Sequence, residues 1–157
     1  MKLEEKVGTL LKEKGLKLAI AESTTGGLTC HRIVSVPGSS RYFDRGVVAY
    51  SKDAKAELAD VPLRLLDEFG TVSSQVARAM AEGIKRKSRV DLGLAETGIA
   101  GPIPRRSLKP VGATYIALAT PSETFCEEFH FSGSRQAILE AISLAALEML
   151  LEYLNRA

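Results

Sequence analysis

Two segments of the chain place small polar residues and glycines directly after a short apolar run. Residues 18–21, Leu-Ala-Ile-Ala, precede Glu-Ser-Thr-Thr-Gly-Gly at 22–27, and residues 92–95, Leu-Gly-Leu-Ala, precede Glu-Thr-Gly at 96–98. In α/β proteins, ligands bind at the carboxyl ends of parallel strands, where glycines let backbone N–H groups approach a ligand. We therefore predict that both segments line one crevice, although Ser, Thr and Gly are equally ordinary as helix caps and turn residues.

Ser23 in the first segment is a candidate nucleophile that needs a base. The chain has two histidines, His31 in a predicted helix and His130 in a predicted strand, and we interpret both as structural. A lysine with a lowered pKa is the standard substitute for histidine beside a hydroxyl nucleophile. Lys55 lies about one turn into a helix that directly follows a predicted strand containing Tyr50. Its spacing alone, however, favours a lysine exposed to solvent.

Several common enzyme classes are excluded by missing motifs. The sequence contains no GxxxxGK[ST] and no GxGxxG, and Ser23 is not part of a GxSxG elbow. It is therefore not a P-loop NTPase, and it lacks the dinucleotide fingerprint and the nucleophile elbow of α/β-hydrolases. Cys30 and Cys126 are far apart and form no CxxC pair. We expect reduced thiols, no metal centre and no cofactor.

Helices alternate with strands along most of the chain. Apolar periodicity and capping residues predict helices at residues 2–14, 52–59, 62–69, 74–88 and 134–154, and another that begins within 22–27 and runs to about residue 34. Strands are predicted at residues 17–21, 43–51, 91–95, 111–120 and 123–131. This order predicts an α/β fold, a three-layer α/β/α sandwich with a mixed central sheet, in a single domain over residues 1–157.

Length, composition and charge narrow the class of protein further. The 157 residues are 45% hydrophobic and 25% charged, which indicates one folded globular domain. Lys and Arg total 21 against 19 Asp and Glu, too small an excess for a nucleic-acid binder. The sequence has no apolar stretch of about 18 residues and no recognisable signal peptide, so we expect a cytoplasmic protein without a membrane partner. A homodimer is the default expectation for its assembly.

An ordered series of short motifs resembles the CinA C-terminal-domain family. The matching segments are residues 21–27 (Ala-Glu-Ser-Thr-Thr-Gly-Gly), 36–40 (Val-Pro-Gly-Ser-Ser), 46–51 (Gly-Val-Val-Ala-Tyr-Ser) with Lys55, 70–73 (Gly-Thr-Val-Ser), 97–102 (Thr-Gly-Ile-Ala-Gly-Pro) and 109–112 (Lys-Pro-Val-Gly). Each motif is weak alone, but together they cover nearly the whole chain in order and are highly specific.

The resemblance implies a compact α/β/α domain with a defined chemistry. The best-characterised members are amidohydrolases that convert nicotinamide mononucleotide to nicotinate mononucleotide and ammonia in pyridine nucleotide salvage. Carried onto this sequence, Ser23 is the nucleophile, Lys55 and Tyr50 are its activating partners, and Arg135 lies near the substrate phosphate. The expected partner is thus a small phosphorylated nucleotide rather than a nucleic acid. The length of the chain implies the stand-alone form of the domain.

Further substrate contacts are expected at both strand ends. The resemblance implies a substrate-site threonine at Thr97 beside Gly98, and it implies contacts from the loop after Ser23. That loop consists of Thr24, Thr25, Gly26 and Gly27. Its backbone N–H groups, at the predicted start of a helix, could stabilise the oxyanion of a tetrahedral intermediate.

Three positions depart from the family pattern. The usual glycine-rich run is replaced by residues 103–108, where Arg105 and Arg106, with Lys109 after them, add positive charge suited to a phosphate. Glu96 stands where an apolar residue is usual, and a position beside Glu22 would raise the pKa of one carboxyl by repulsion. The third departure is a mild one, because Thr24 replaces a commoner cysteine.

The departures keep two alternative functions open. One is a metal-assisted hydrolase of a related phosphorylated compound that uses Glu22 and Glu96. The other is a non-catalytic nucleotide-binding module.

Overall fold

The computed structural model describes residues 1–103 and 108–157. Its strands are β1 (Leu18–Glu22), β2 (Phe43–Val48), β3 (Leu92–Gly98), β4 (Ala113–Ala119) and β5 (Thr124–His130). Its helices are α1 (Leu3–Lys14), α2 (Leu28–Val34), α3 (Lys52–Ala59), α4 (Leu63–Phe69), α5 (Ser74–Ser88) and α6 (Arg135–Arg156), with a short 3₁₀ helix at Ser39–Arg41. Among the helices of the described ranges, none combines the length and apolar character required to cross a membrane.

The five strands form one mixed sheet in the order β2-β1-β3-β4-β5. Strand β1 lies between β2 and β3 and pairs in parallel with both, whereas β4 pairs antiparallel with β3 and with β5. Helices cover both faces, which confirms the predicted three-layer α/β/α sandwich. The carboxyl ends of β1, β2 and β3 therefore share one edge of the sheet, as the two similar strand ends require.

The two faces of the sheet differ in the size of their side chains. Large residues such as Ile20, Leu94 and Leu118 face α1, α2 and α6. Alanines such as Ala19, Ala95 and Ala117 face α3, α4 and α5. Because successive residues of a strand point to opposite faces, this alternation decides which helices pack closely. A Cβ atom on Gly93 would lie 2.2 Å from the carbonyl oxygen of Ala81, so α5 sits almost directly on the backbone of β3.

The structure corrects two predicted boundaries near the crevice. The predicted second helix does not start within residues 22–27; it starts at Leu28, because Gly26 and Gly27 have φ values of 58° and 109° that a right-handed helix cannot contain. Strand β3 runs on to Gly98, so Glu96 and Thr97 are strand residues rather than loop residues.

Candidate active site

A cavity of about 180 Å³ lies at the carboxyl ends of β1 and β3. Its lining among the described residues is Ser23, Thr24, Tyr50, Gly98, Ile99, Ala100, Gly101, Ile103 and Arg135. A larger cavity of about 710 Å³ lies beside the C-terminal half of α5 and the β4–β5 turn, with Arg78, Lys85 and Arg89 in its wall. We assign the site to the smaller cavity, because it holds the predicted nucleophile.

Ser23 and Lys55 form a buried pair. Lys55 Nζ lies 2.9 Å from Ser23 Oγ and donates to the carbonyl oxygens of Ala49 at 3.0 Å and Tyr50 at 2.8 Å. Only 1% of the Lys55 residue surface is exposed, so the expectation of a solvent-exposed lysine is wrong. The cause is local, because only residues 49–51 separate the end of β2 from the start of α3. Ser51 caps that helix by accepting from the N–H of Ala54 at 3.0 Å.

The hydrogen bonds of Lys55 accommodate both protonation states of its amine. A neutral amine has two N–H donors and one lone pair. In that state the two carbonyl oxygens accept from the donors, and the lone pair faces the hydroxyl of Ser23. An ammonium group places its third N–H on Ser23 Oγ instead. The same geometry therefore serves a base that takes a proton and an acid that returns it.

Tyr50 is brought to the cavity, but its hydroxyl does not lie between Ser23 and Lys55. The residue is 57% exposed, and its hydroxyl accepts from Arg135 Nη2 at 3.5 Å. Its main-chain carbonyl, in contrast, holds Lys55. The structure thus connects Tyr50 to the base through its backbone and to the cavity mouth through its side chain.

Arg135 supplies positive charge to the wall of the cavity. It is the first residue of α6, which is capped by Ser134, whose hydroxyl accepts from the N–H of Ala137 at 3.1 Å. Its Nη1 donates to the carbonyl oxygen of Gly101 at 2.7 Å. That bond holds the guanidinium group at the cavity wall, where it suits an anionic group of a ligand.

Two buried carboxylates lie behind the Ser23 loop. Glu22 Oε1 accepts from the N–H groups of Gly27 at 3.2 Å and Thr29 at 2.9 Å, and its Oε2 accepts from the N–H of Cys30 at 2.9 Å. These bonds draw the chain into the turn before α2, which explains why the helix starts late.

Glu96 holds the same loop from the neighbouring strand. Its Oε1 accepts from the N–H groups of Ser23 at 2.7 Å and Thr25 at 3.0 Å. Burial raises the pKa of Glu96, and the interactions with Thr25, Ser23 and the Thr24 side chain oppose that rise only in part. Glu96 lies beside Glu22, as predicted, because the two residues directly follow the last pair in the register of the adjacent strands β1 and β3. The main cause of its raised pKa, however, is burial and not repulsion between the two carboxyl groups.

Some of the predicted substrate contacts are absent from the cavity wall. Thr24, Gly98 and Arg135 line it, whereas Thr25, Gly26, Gly27 and Thr97 are not among its described lining residues. The N–H groups of Thr25 and Gly27 are occupied by carboxylates, so they do not serve as the predicted oxyanion donors. The hydroxyl of Thr97 donates to the carbonyl oxygen of Thr71 at 2.6 Å.

Of the three basic residues in and directly after the altered loop, the structure describes only Lys109. Arg105 and Arg106 lie outside the described residues. Lys109 donates to the carbonyl oxygen of Val72 and lies 5.3 Å from the ring centre of Tyr115. It is not among the described residues of the cavity wall, so the positive charge seen there comes from Arg135.

Main-chain carbonyl oxygens hold two of the site's side chains, and the sequence did not predict these contacts. Ala49 acts on Lys55 through its carbonyl oxygen, which every residue type possesses, so no sequence signal marks it. Gly101 adopts a positive φ of 68° and presents its carbonyl to Arg135. The sequence offers one signal for this contact, because a glycine at position 101 permits the positive φ that turns its carbonyl toward Arg135.

The two carboxylates are not arranged like a metal centre. Three of their four oxygens accept from N–H groups of the chain that follows Glu22, and only Glu96 Oε2 makes no hydrogen bond to the described residues. Within residues 1–103 and 108–157, no group of three or more His, Cys, Asp or Glu side chains could hold a metal ion.

Comparison with known proteins places the chain in a family. Residues 1–154 match the model of the CinA C-terminal domain. The chain is 50% identical over 153 residues to a CinA-like protein of Syntrophus aciditrophicus, and 47% identical over 148 residues to one of Geobacter sulfurreducens. These alignments cover 97% and 94% of this chain, which spans only 36% of the length of each relative.

Solved structures share the whole architecture. The competence/damage inducible protein CihA of Agrobacterium tumefaciens has a TM-score of 0.92 at 37% identity, over 98% of this chain and 93% of that chain. A CinA superfamily protein of Klebsiella pneumoniae has a TM-score of 0.95 at 26% identity, with both chains fully covered.

Proposed function

This chain belongs to the CinA C-terminal domain family, and we propose that it hydrolyses the carboxamide of nicotinamide mononucleotide to nicotinate mononucleotide and ammonia. One observation carries the proposal. A buried serine hydroxyl lies 2.9 Å from a buried lysine amine at the wall of a cavity that also contains an arginine. A nucleophile, a base and a cation are the groups that cleavage of an amide in a phosphorylated substrate requires.

The reaction proceeds through an acyl-enzyme. Neutral Lys55 takes the proton of Ser23 as Oγ attacks the carboxamide carbon, and the resulting ammonium returns that proton to the departing nitrogen, which leaves as ammonia. Water then attacks the ester, with Lys55 again as base, to release the carboxylate product and restore the serine. The two carbonyl oxygens on Lys55 keep its amine oriented through both halves.

Thr24 is our candidate for the oxyanion donor. It follows the nucleophile directly and lines the cavity. The described part of the chain offers its N–H group no hydrogen-bond acceptor. A free N–H next to a nucleophile is the kind of donor that stabilises charge developing on the substrate oxygen.

The substrate phosphate is assigned to Arg135. The test is an assay of ammonia release from nicotinamide mononucleotide, nicotinamide riboside and nicotinamide, with and without EDTA. We expect kcat/KM to be about 10- to 100-fold higher for the phosphorylated compound, since a charged hydrogen bond contributes about 1.5–3 kcal/mol. Arg135→Gln should remove most of that preference. Arg64→Gln, which loses the same charge on an exposed part of α4, is the matched control.

Each alternative has its own outcome in this assay. Activity that EDTA abolishes would favour the metal-assisted hydrolase. Thermal stabilisation by nicotinamide mononucleotide without ammonia release would favour the binding module. Either result contradicts the proposed metal-independent amidohydrolase.

A further inference from the structure

Glu96 and Glu22 are neighbours by the register of the sheet. Strands β1 and β3 are parallel, and Ala21 lies opposite Ala95. The residues that follow, Glu22 and Glu96, therefore lie side by side and point to the same face. Both are buried, with 0% and 2% of their surface exposed. Two adjacent buried carboxyl groups need an explanation, because each ionised group demands full pairing by donors.

Their hydrogen bonds are unequal. Glu22 accepts through both of its oxygens, from the N–H groups of Gly27, Thr29 and Cys30. Glu96 accepts N–H groups through Oε1 only. Its buried Oε2 makes no hydrogen bond within 3.5 Å to the residues that the structure describes, and the buried hydroxyl of Thr24, which faces the Glu96 carboxyl group, makes none either. A buried anionic oxygen without a donor is far more costly than a neutral hydroxyl in the same place.

The hydroxyl of Thr25 joins the two carboxyl groups and has one proton to share. Thr25 Oγ1 lies 2.9 Å from Glu96 Oε1 and also contacts Glu22 Oε1 at close range. If both carboxyls were anions, that proton could satisfy only one of them, and the other would face an oxygen lone pair. If Glu96 is neutral, the hydroxyl donates to Glu22, and the Thr25 oxygen then faces the uncharged carbonyl oxygen Oε1 of Glu96. An uncharged oxygen repels that lone pair less than an anion does, and it still accepts the two N–H groups.

We propose that Glu96 is a positioning residue for the nucleophile, held in its neutral form with its proton on Oε2. Its carbonyl oxygen ties the N–H groups of Ser23 and Thr25 to β3 and so fixes Ser23 Oγ against Lys55. The effect on catalysis rests on the proposed function, whereas the protonation state does not. No substrate contact is assigned to Glu96, because it is not among the described residues of the cavity wall.

The surroundings of Glu96 favour the neutral form. Glu22 from β1 and the loop residues Thr24 and Thr25 face it, and Cys30 from α2 lies beyond Glu22. Its register partner on β4 is the apolar Ile116, and Ile138 and Ile142 of α6 belong to the same buried cluster. Lys55 lies on the far side of Ser23, where it bonds to the hydroxyl.

A pH series on stability tests the neutral form without any assay of activity. A group whose pKa is raised on folding binds more protons in the folded state, so the free energy of unfolding falls as pH rises above the carboxyl's ordinary value near 4.5. Urea unfolding between about pH 5 and pH 9 should show this fall in the wild type and in the exposed control Glu82→Gln. It should be smaller in Glu96→Gln, which keeps a neutral carbonyl oxygen at all pH values. If the free energy of unfolding depends on pH in the same way in the wild type and in Glu96→Gln, the proposal that Glu96 is neutral is contradicted.

Turnover tests the positioning role with the same variants. We expect Glu96→Ala to lower kcat for nicotinamide mononucleotide by about 100-fold, as a misplaced nucleophile does, with a small change in KM. Glu96→Gln should restore most of kcat, since it preserves the acceptor. A Gln variant as inactive as the Ala variant contradicts the proposal and would favour a role for the anion. If the wild type releases no ammonia, the proposed function fails, and the pH series still decides the protonation of Glu96.

Discussion

At the scale of the residue, the contacts of Lys55 show how its surroundings suit it to the proposed role of base. The side chain is buried, and its amine meets two main-chain carbonyl oxygens as well as the hydroxyl of Ser23. These contacts replace the hydrogen bonds to water that the amine loses on burial. They also orient the amine so that its remaining position points at the hydroxyl of Ser23. A surface lysine with the same sequence neighbours would have neither property.

The structure suggests a role for Tyr50 that differs from the one the family resemblance implies. The resemblance pairs it with Lys55 as an activating partner, and the structure connects its hydroxyl to Arg135 instead. We therefore predict that Tyr50→Phe raises KM for nicotinamide mononucleotide several-fold while kcat changes less. The physical reason is that the carbonyl oxygen on Lys55 is kept in the variant. Steady-state kinetics over a range of substrate concentrations gives both constants, and a large loss of kcat at constant KM would return the tyrosine hydroxyl to the chemistry.

At the scale of elements, the site depends on how closely α3 and α5 approach. Helix α3 carries Lys55, and α5 packs against its C-terminal end at Gly83. A Cβ atom at Gly83 would lie 1.7 Å from the carbonyl oxygen of Ala59, a backbone atom that cannot rotate away. The position of Lys55 is therefore set in part by Gly83, a residue of a helix that contributes nothing to the described cavity wall.

Gly83→Ala tests this dependence. We expect the free energy of unfolding to fall by about 1–3 kcal/mol, the usual cost of overpacking, although alanine is the better helix former. Activity should fall more than the loss of folded protein explains, because α3 must shift. Urea denaturation and kcat give the two quantities, and Glu82→Ala at the exposed neighbouring position of α5 is the control. An unchanged stability would mean that the two helices separate at no cost.

The elements themselves were largely predictable, and the misses have physical causes. Ser73 as an N-cap and the apolar face of α5 are local signals, and the helix indeed runs from Ser74 to Ser88. The late start of α2 was not predictable in this way, since it depends on Glu22 accepting N–H groups from the chain that follows. The burial of Lys55 was likewise invisible to spacing, because it requires β2, α3 and the Ser23 loop to meet.

For the molecule as a whole, the parallel half of the sheet explains where the site lies. Segments far apart in sequence meet because β1 is paired with both β2 and β3. Ser23 and Tyr50, which follow β1 and β2, therefore lie at the same edge of the sheet as Gly98, the last residue of β3. That convergence was predicted from the two similar strand ends. The roles of the site residues are proposals that only kinetics can test.

The net charge of the chain is only +2, but one positive charge lies at the candidate site. Arg135 is the cation seen in the described cavity wall, and it lies beside small residues such as Gly98 and Gly101. This arrangement suits one small anionic group rather than an extended polyanion.

The Ser23–Lys55 pair is the central claim, and turnover by its two single variants tests it most directly. Ammonia release from nicotinamide mononucleotide should be compared for the wild type, Ser23→Ala, Lys55→Met and the control Lys52→Met, an exposed lysine on the same helix. Unfolding curves must first show that all four proteins are folded. We predict that kcat falls by at least about 1,000-fold in both site variants and stays near the wild-type value in the control. A folded Ser23→Ala or Lys55→Met protein that turns over at the wild-type rate would contradict the account.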